Sequence, residues 1–302
     1  MRKVFFLLLI TLSLYAKSIT PNEVYSQVTL ISDEVHFLLK HYNIKHHHKQ
    51  ILKKSILQTK LKPRNVWQMT YEIMVKINIF REEYNLPIIE PVNVVPFLHL
   101  NPDLVYEQTQ RILTELKIFK VREGIKSPSY KLKKFKGKTP LDVYNLLLHI
   151  SFSFDELNGG RFTPSYVFGE QMRVYDDLTI VLQALKIVDK TIPKAKNINA
   201  KPEDVFNKSM KVLEKIKQLQ INAGIEFVDF REFKKGNETT GEVYTITQMI
   251  LAELQTLKAY LHIGYITPAA VQYNTKTPAE VDQLVSWNLR KLNLINSLNQ
   301  GH

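Results

Sequence analysis

Five histidines fall close together at His36, His41 and His46-His47-His48, and imidazole is the side chain that most often ligates metal. A firm zinc site fixes its ligands by spacing and by a supporting shell. His36 and His41 are five residues apart and do not share a helical face, and adjacent histidines on a polar stretch match a solvated loop. The chain has no cysteine, no His-Glu-x-x-His and no calcium loop, so no metal site is expected. Carboxylates recur as Asp33-Glu34, Glu115, Asp176-Asp177, Glu214 and Glu253. A di-metal centre would need Glu-x-x-His on inward faces; none is present, and a solvated helix face is the reading.

Hydroxyls recur at one position of a repeated segment, as Thr70, Thr109, Ser209 and Thr247, with Gln171 at the same register. Inside a helical bundle such a layer can hold a small polar molecule or water, with Tyr106 at its edge. Such hydroxyls also bond to the carbonyl four residues back and then need no ligand. Tyr130 to Lys138 interleaves aromatics with Lys131, Lys133, Lys134, Lys136 and Lys138, a pattern that meets anionic polymers. Lipid head groups, phosphorylated saccharides or an acidic protein are the expected partners, not nucleic acid. No nucleophile elbow, phosphate loop or catalytic triad phrase occurs, so neither catalytic residues nor a cofactor are expected.

These residues must be placed by a repeated helix. Thr20-Pro21-Asn22-Glu23-Val24-Tyr25, Asn101-Pro102-Asp103-Leu104-Val105-Tyr106 and Thr139-Pro140-Leu141-Asp142-Val143-Tyr144 are three copies of one phrase, and eight copies place their proline position at 21, 63, 102, 140, 164, 202, 240 and 278. The phrase is a helix start: Thr caps, Pro occupies the first turn where no amide bond is lost, and an acid at N3 completes a capping box. Lys62 and Lys201 are poor caps, so those copies should rely on packing. From the proline, apolar residues return at +3, +10, +14 and +17, as in Val105, Ile112, Leu116 and Phe119, which is a heptad-like seam. The aromatic at +4 is expected to plug the core beside the cap, and Asn288 alone breaks the seam. Asn43-Ile44, Asn85-Leu86, Gly124-Ile125 and Gly224-Ile225 are stop signals, a left-handed residue followed by an apolar contact.

About 14 residues join most copies, enough to span at most roughly 46 Å. That length returns the chain along a 20-residue helix, so helices within a set are expected to run parallel. Only Asn158-Gly159-Gly160-Arg161-Phe162 is too short for a return and should reverse direction. The predicted fold is all-α: eight helices of about 20 residues in two four-helix units related by a tandem duplication, with long extended connections, spanning 17–160 and 161–302.

Met1 to Ala16 has the basic start, short apolar run and terminal small residue of a cleaved signal peptide, and is too short to span a bilayer. No later stretch reads as transmembrane. Removing Arg2 and Lys3 would lower the formal charge from +12 to +10, and a basic chain favours anionic surfaces. A periplasmic or secreted, non-enzymatic binding, scaffold or sensory protein of the envelope is expected. A small-molecule or cofactor binder built on the polar layer is the alternative, and an enzyme without a recognisable motif comes third.

Overall fold

A computed structural model describes residues 18–44, 60–92, 95–126, 128–229 and 238–295. The segment Met1–Ala16 and the triplet His46-His47-His48 lie outside the described residues. Eight helices follow in order: α1 (Pro21–His41), α2 (Pro63–Glu83), α3 (Pro102–Arg122), α4 (Pro140–Leu157), α5 (Pro164–Ala184), α6 (Pro202–Asn222), α7 (Thr240–Tyr260) and α8 (Pro278–Leu292). No β-strand occurs among the described residues. The fold is an all-α assembly of two four-helix units, with α4 and α8 shorter than the rest.

The helices start where capping chemistry says they should. Thr20, Thr139 and Thr239 each accept a backbone N–H with the side-chain oxygen, and the N3 acid takes the cap's own N–H in return. The two lysine caps do more than packing alone. Lys62 N donates to Asn65 Oδ1 at 3.0 Å and Lys201 N to Asp204 Oδ2 at 2.8 Å, so half of each capping box survives the loss of the threonine hydroxyl. The stops are equally regular. Asn43, Asn85, Gly124 and Gly224 have positive φ, and the next residue's amide bonds back five residues, as Ile125 N does to Lys120 O at 2.8 Å. Lys186 and His262 take the same left-handed conformation despite their side chains. Ile187 and Ile263 follow them and close the same bond.

Within each unit the helices are parallel. Pro21, Pro63, Pro102 and Pro140, with Val24, Val66, Val105 and Val143, ring one small hollow, so four helix starts meet at one end. Pro164, Pro202, Thr240 and Pro278 ring the second. In the first unit α1 and α2 each pack against both α3 and α4; in the second, α5 and α6 each pack against both α7 and α8. The seam positions +3, +10, +14 and +17 are at most 5% exposed in every helix, which is why a seven-residue pattern can specify the bundle. Asn288, the one polar seam residue, donates to both the carbonyl and the side chain of Gln171 at 3.0 Å, so the break in the pattern is itself paired.

The connections run back along the bundles and are anchored in a repeated way. Lys138 N donates to Asn22 Oδ1 and its ammonium lies 4.2 Å from the Tyr25 ring centre, while Phe135 meets Tyr25 edge-on. Lys276 N donates to Ser165 Oγ, its ammonium lies over Phe168, and Tyr273 meets Phe168 edge-on. The +4 aromatics therefore do two jobs. Tyr25 and Phe168 clamp a returning segment, whereas Tyr144 and Tyr244 are wholly buried.

The two bundles meet through α2 and α7. Arg64 pairs with Glu253, Gln68 with Gln248 and Thr245 with Glu72. As the number on α2 rises, that on α7 falls, so the bundles lie antiparallel, and the Asn158–Phe162 join supplies the reversal.

Candidate functional site

The junction gathers charge that the bundles themselves do not need. On α2, Glu72 and Lys76 are completely buried and 3.2 Å apart. Lys76 also reaches Asp155 at 2.8 Å and Ser151 Oγ at 2.7 Å, both on α4. Ser151 and Thr245 donate to the same Glu72 oxygen. Burial pushes the Glu72 carboxyl up, against the pull of Lys76 and Ser151. Burial acts to lower Lys76, but Asp155 and Glu72 outweigh it and hold the ammonium charged.

The Lys76 ammonium lies 4.9 Å from the ring of Phe162, in the short join, and Phe162 meets Tyr244 edge-on at 4.9 Å. Tyr244 donates to Glu170 Oε1 at 2.9 Å, and Arg173 binds the other oxygen at 2.8 Å. Arg173 also stacks 4.9 Å over Tyr71 of α2. Burial, then the neighbouring Glu170 carboxylate, raises the Tyr71 and Tyr244 hydroxyls, so both stay protonated and able to donate.

A cavity of about 140 Å³ opens beside this cluster. Tyr71, Tyr166, Tyr244 and Glu170 line it, with Glu82 at its rim and the segment Ala269–Tyr273 across it. Gly169 lets that segment in: a Cβ there would stand 2.7 Å from Val271 O. At the far end of the junction, Arg64 grips both oxygens of Glu253 at 2.9 Å, and Asn65 and Gln220 complete the carboxylate's shell.

The residues singled out from sequence fall elsewhere. Thr70 and Thr109 are buried in the first bundle and bond to the carbonyls of Trp67 and Tyr106, three residues back. Ser209 and Thr247 are buried in the second bundle. Gln171 donates to Thr247, which itself bonds the Val243 carbonyl. The four hydroxyls are thus split between two cores, and Tyr106 is only partly buried against the first. Of the lysine run, Lys138 is held over Tyr25, Lys133 lies 3.7 Å from Asp33, and Lys131, Lys134 and Lys136 are exposed.

Three of the seven acidic positions overturn the solvated-face reading, while Glu214 is exposed and Asp33 and Asp176 are partly exposed. Glu34, Asp177 and Glu253 are buried and paired with Lys120, Lys258 and Arg64, and Glu115 binds Arg81 at 2.8 Å. The reason is a second repeat signal. A carboxylate at +13 meets a donor at +18 of the adjacent helix, in α1 with α3, α3 with α2, and α5 with α7. Glu72, Lys76, Glu170 and Arg173 were not marked by sequence, because nothing local distinguishes a charge that a second bundle will cover. Among the described residues no group of three His, Asp or Glu side chains is placed to hold a metal. No family model, curated protein or solved structure matches this chain.

Proposed function

We propose that the chain is an exported, non-enzymatic binding protein of the cell envelope that holds a small organic cation at the junction of its two bundles. The observation that carries this reading is the 140 Å³ cavity walled by Tyr71, Tyr166 and Tyr244 with Glu170 inside and Glu82 at the rim. Aromatic faces and carboxylates together favour a desolvated ammonium. The volume is close to that of a cavity that admits a benzene-sized guest, which suits a trimethylammonium group. The Glu170 carboxylate is already fixed by Arg173 and Tyr244, so the pocket is preorganised and little ordering is needed on binding. Export rests on the signal-peptide pattern of Met1–Ala16. No described helix is long and apolar enough to cross a membrane.

The test is calorimetric titration with tetramethylammonium and choline, with sodium as the control. Saturable binding is expected, and Tyr166→Ala, a half-buried wall residue, should weaken it about fivefold to tenfold, the worth of one cation–π contact. Absence of saturable binding, or equal affinity in Tyr166→Ala, sinks the proposal.

A further inference from the structure

The segment that returns the chain from α5 to α6 is laid along α8. Asp189 takes the Lys291 ammonium, Trp287 Nε1 donates to Thr191 Oγ1 at 3.0 Å, Arg290 donates to Ile192 O at 2.7 Å, and Gln283 donates to Lys194 O. Four bonds to one helix hold the segment in place. No helical or turn residue interrupts 187–197, and in an extended chain alternate side chains point to opposite sides. Ile187, Asp189 and Thr191 face the bundle. The other register, Val188, Lys190, Ile192, Lys194, Lys196 and Ile198, is exposed throughout. Its three aliphatic side chains are 74%, 68% and 83% exposed.

Scattered apolar side chains on a surface are ordinary. Three on one register of a tethered segment, with lysines between them, form a ridge at most roughly 35 Å long. The composition is particular to this segment. The returns 84–101 and 263–275 contain no lysine or arginine, and the lysine run 131–138 has Leu132 as its single aliphatic residue. From 186 to 201 stand five lysines against one carboxylate, Asp189, which is already paired with Lys291. α8 packs on α5 and α6, whereas α7 makes the junction. The ridge therefore lies on the side of the second bundle away from the first.

We propose that this ridge docks the protein on the surface of an anionic lipid bilayer. The lysine ammoniums sit among the phosphates, and Val188, Ile192 and Ile198 enter the boundary between head groups and acyl chains. A bilayer suits side chains set in a row, because each buries itself in fluid lipid without a shaped pocket, and the lysine stems lie along the same apolar boundary. An acidic protein would have to pack closely around three separated aliphatic groups. A nucleic acid would gain nothing from them, and 186–201 has no aromatic side chain to stack on a base. Because the segment is already tethered to α8, docking orders little that is not ordered beforehand. This surface is independent of the junction cavity.

The full chain is sedimented with vesicles of phosphatidylglycerol and phosphatidylcholine in equal parts, and with phosphatidylcholine alone, at about 0.1 M salt, where charges still act over roughly 10 Å. Binding to the anionic vesicles only is expected. Lys190→Gln with Lys194→Gln should weaken it about 25-fold, each lysine near such a surface being worth about fivefold. Ile192→Ser with Ile198→Ser keeps every charge and should still weaken it about tenfold or more, which separates insertion from charge alone. All four positions are exposed, so neither double variant disturbs the fold. Millimolar tetramethylammonium, which competes at the junction cavity, should leave vesicle binding unchanged. No binding to the anionic vesicles, equal binding to both kinds, undiminished binding in either double variant, release by tetramethylammonium, or tighter binding to polyglutamate than to the anionic vesicles overturns the proposal.

Discussion

Glu280 shows how much one side chain does in this fold. It caps α8 by accepting the Thr277 amide at 3.0 Å and it receives the Lys196 ammonium at 2.7 Å. Lys196 first, then the Thr277 bonds, hold its carboxyl at about 2 against an ordinary 4.5. The folded value is depressed, so the stabilisation is complete above about 4.5 and is lost as pH falls toward 2. Glu280→Gln should therefore lower stability by about 1 kcal/mol at neutral pH, a figure discounted for solvent screening of a partly exposed group. Thermal melts of the two proteins should converge as pH approaches 2; a gap that persists unchanged at low pH would contradict the assignment. The caps were readable residue by residue, since capping needs only neighbours within one turn. The +13 carboxylates were not, because the lysine or arginine that pairs with each one lies on another helix.

At the level of the element, the repeated helix is a capped start, a seam, and a left-handed stop. The stops at Lys186 and His262 are left-handed without the Asn or Gly that marks the others. The apolar residue after each, Ile187 or Ile263, was the available signal, because the contact it makes holds the turn whatever precedes it. The returning segments are elements as well, each set down on an aromatic clamp. Gly169 is where one of them passes closest to a helix, with Val271 O only 2.7 Å from any added Cβ. The obstacle is backbone, so Gly169→Ala must displace the segment and should cost about 1–3 kcal/mol, outweighing the helix propensity that alanine gains. Urea unfolding measures the loss, and hydrogen exchange should rise at 269–273. A variant as stable as the parent would show that the segment is not seated as described.

For the whole molecule, the decisive feature is a polar junction between two apolar bundles. α2 buries charged and amide side chains on its outer face, and Arg64, Asn65, Gln68 and Glu72 find partners on α7, which lies antiparallel against it. Lys76→Met would leave Glu72 and Asp155 without their shared cation, which should cost about 3–5 kcal/mol. Adding Glu72→Gln should recover part of that loss, since a neutral amide tolerates burial better than a lone carboxylate. Denaturant titration of the single and double variants checks this, and a Lys76→Met protein of undiminished stability would mean that the junction opens to water. Such directional pairs fix the register of the two bundles in a way that apolar contact does not.

The sequence by itself determined the helices, their starts, their buried seams, and the parallel order within each bundle. All of these follow from local capping, a seven-residue period, and the plain length of the connections. The tertiary structure alone decided which charges are buried, where the cavities lie, and how the bundles face one another. Whether a glutamate ends in water or against a lysine depends on surfaces far apart in the chain. No spacing within a single repeat records that meeting.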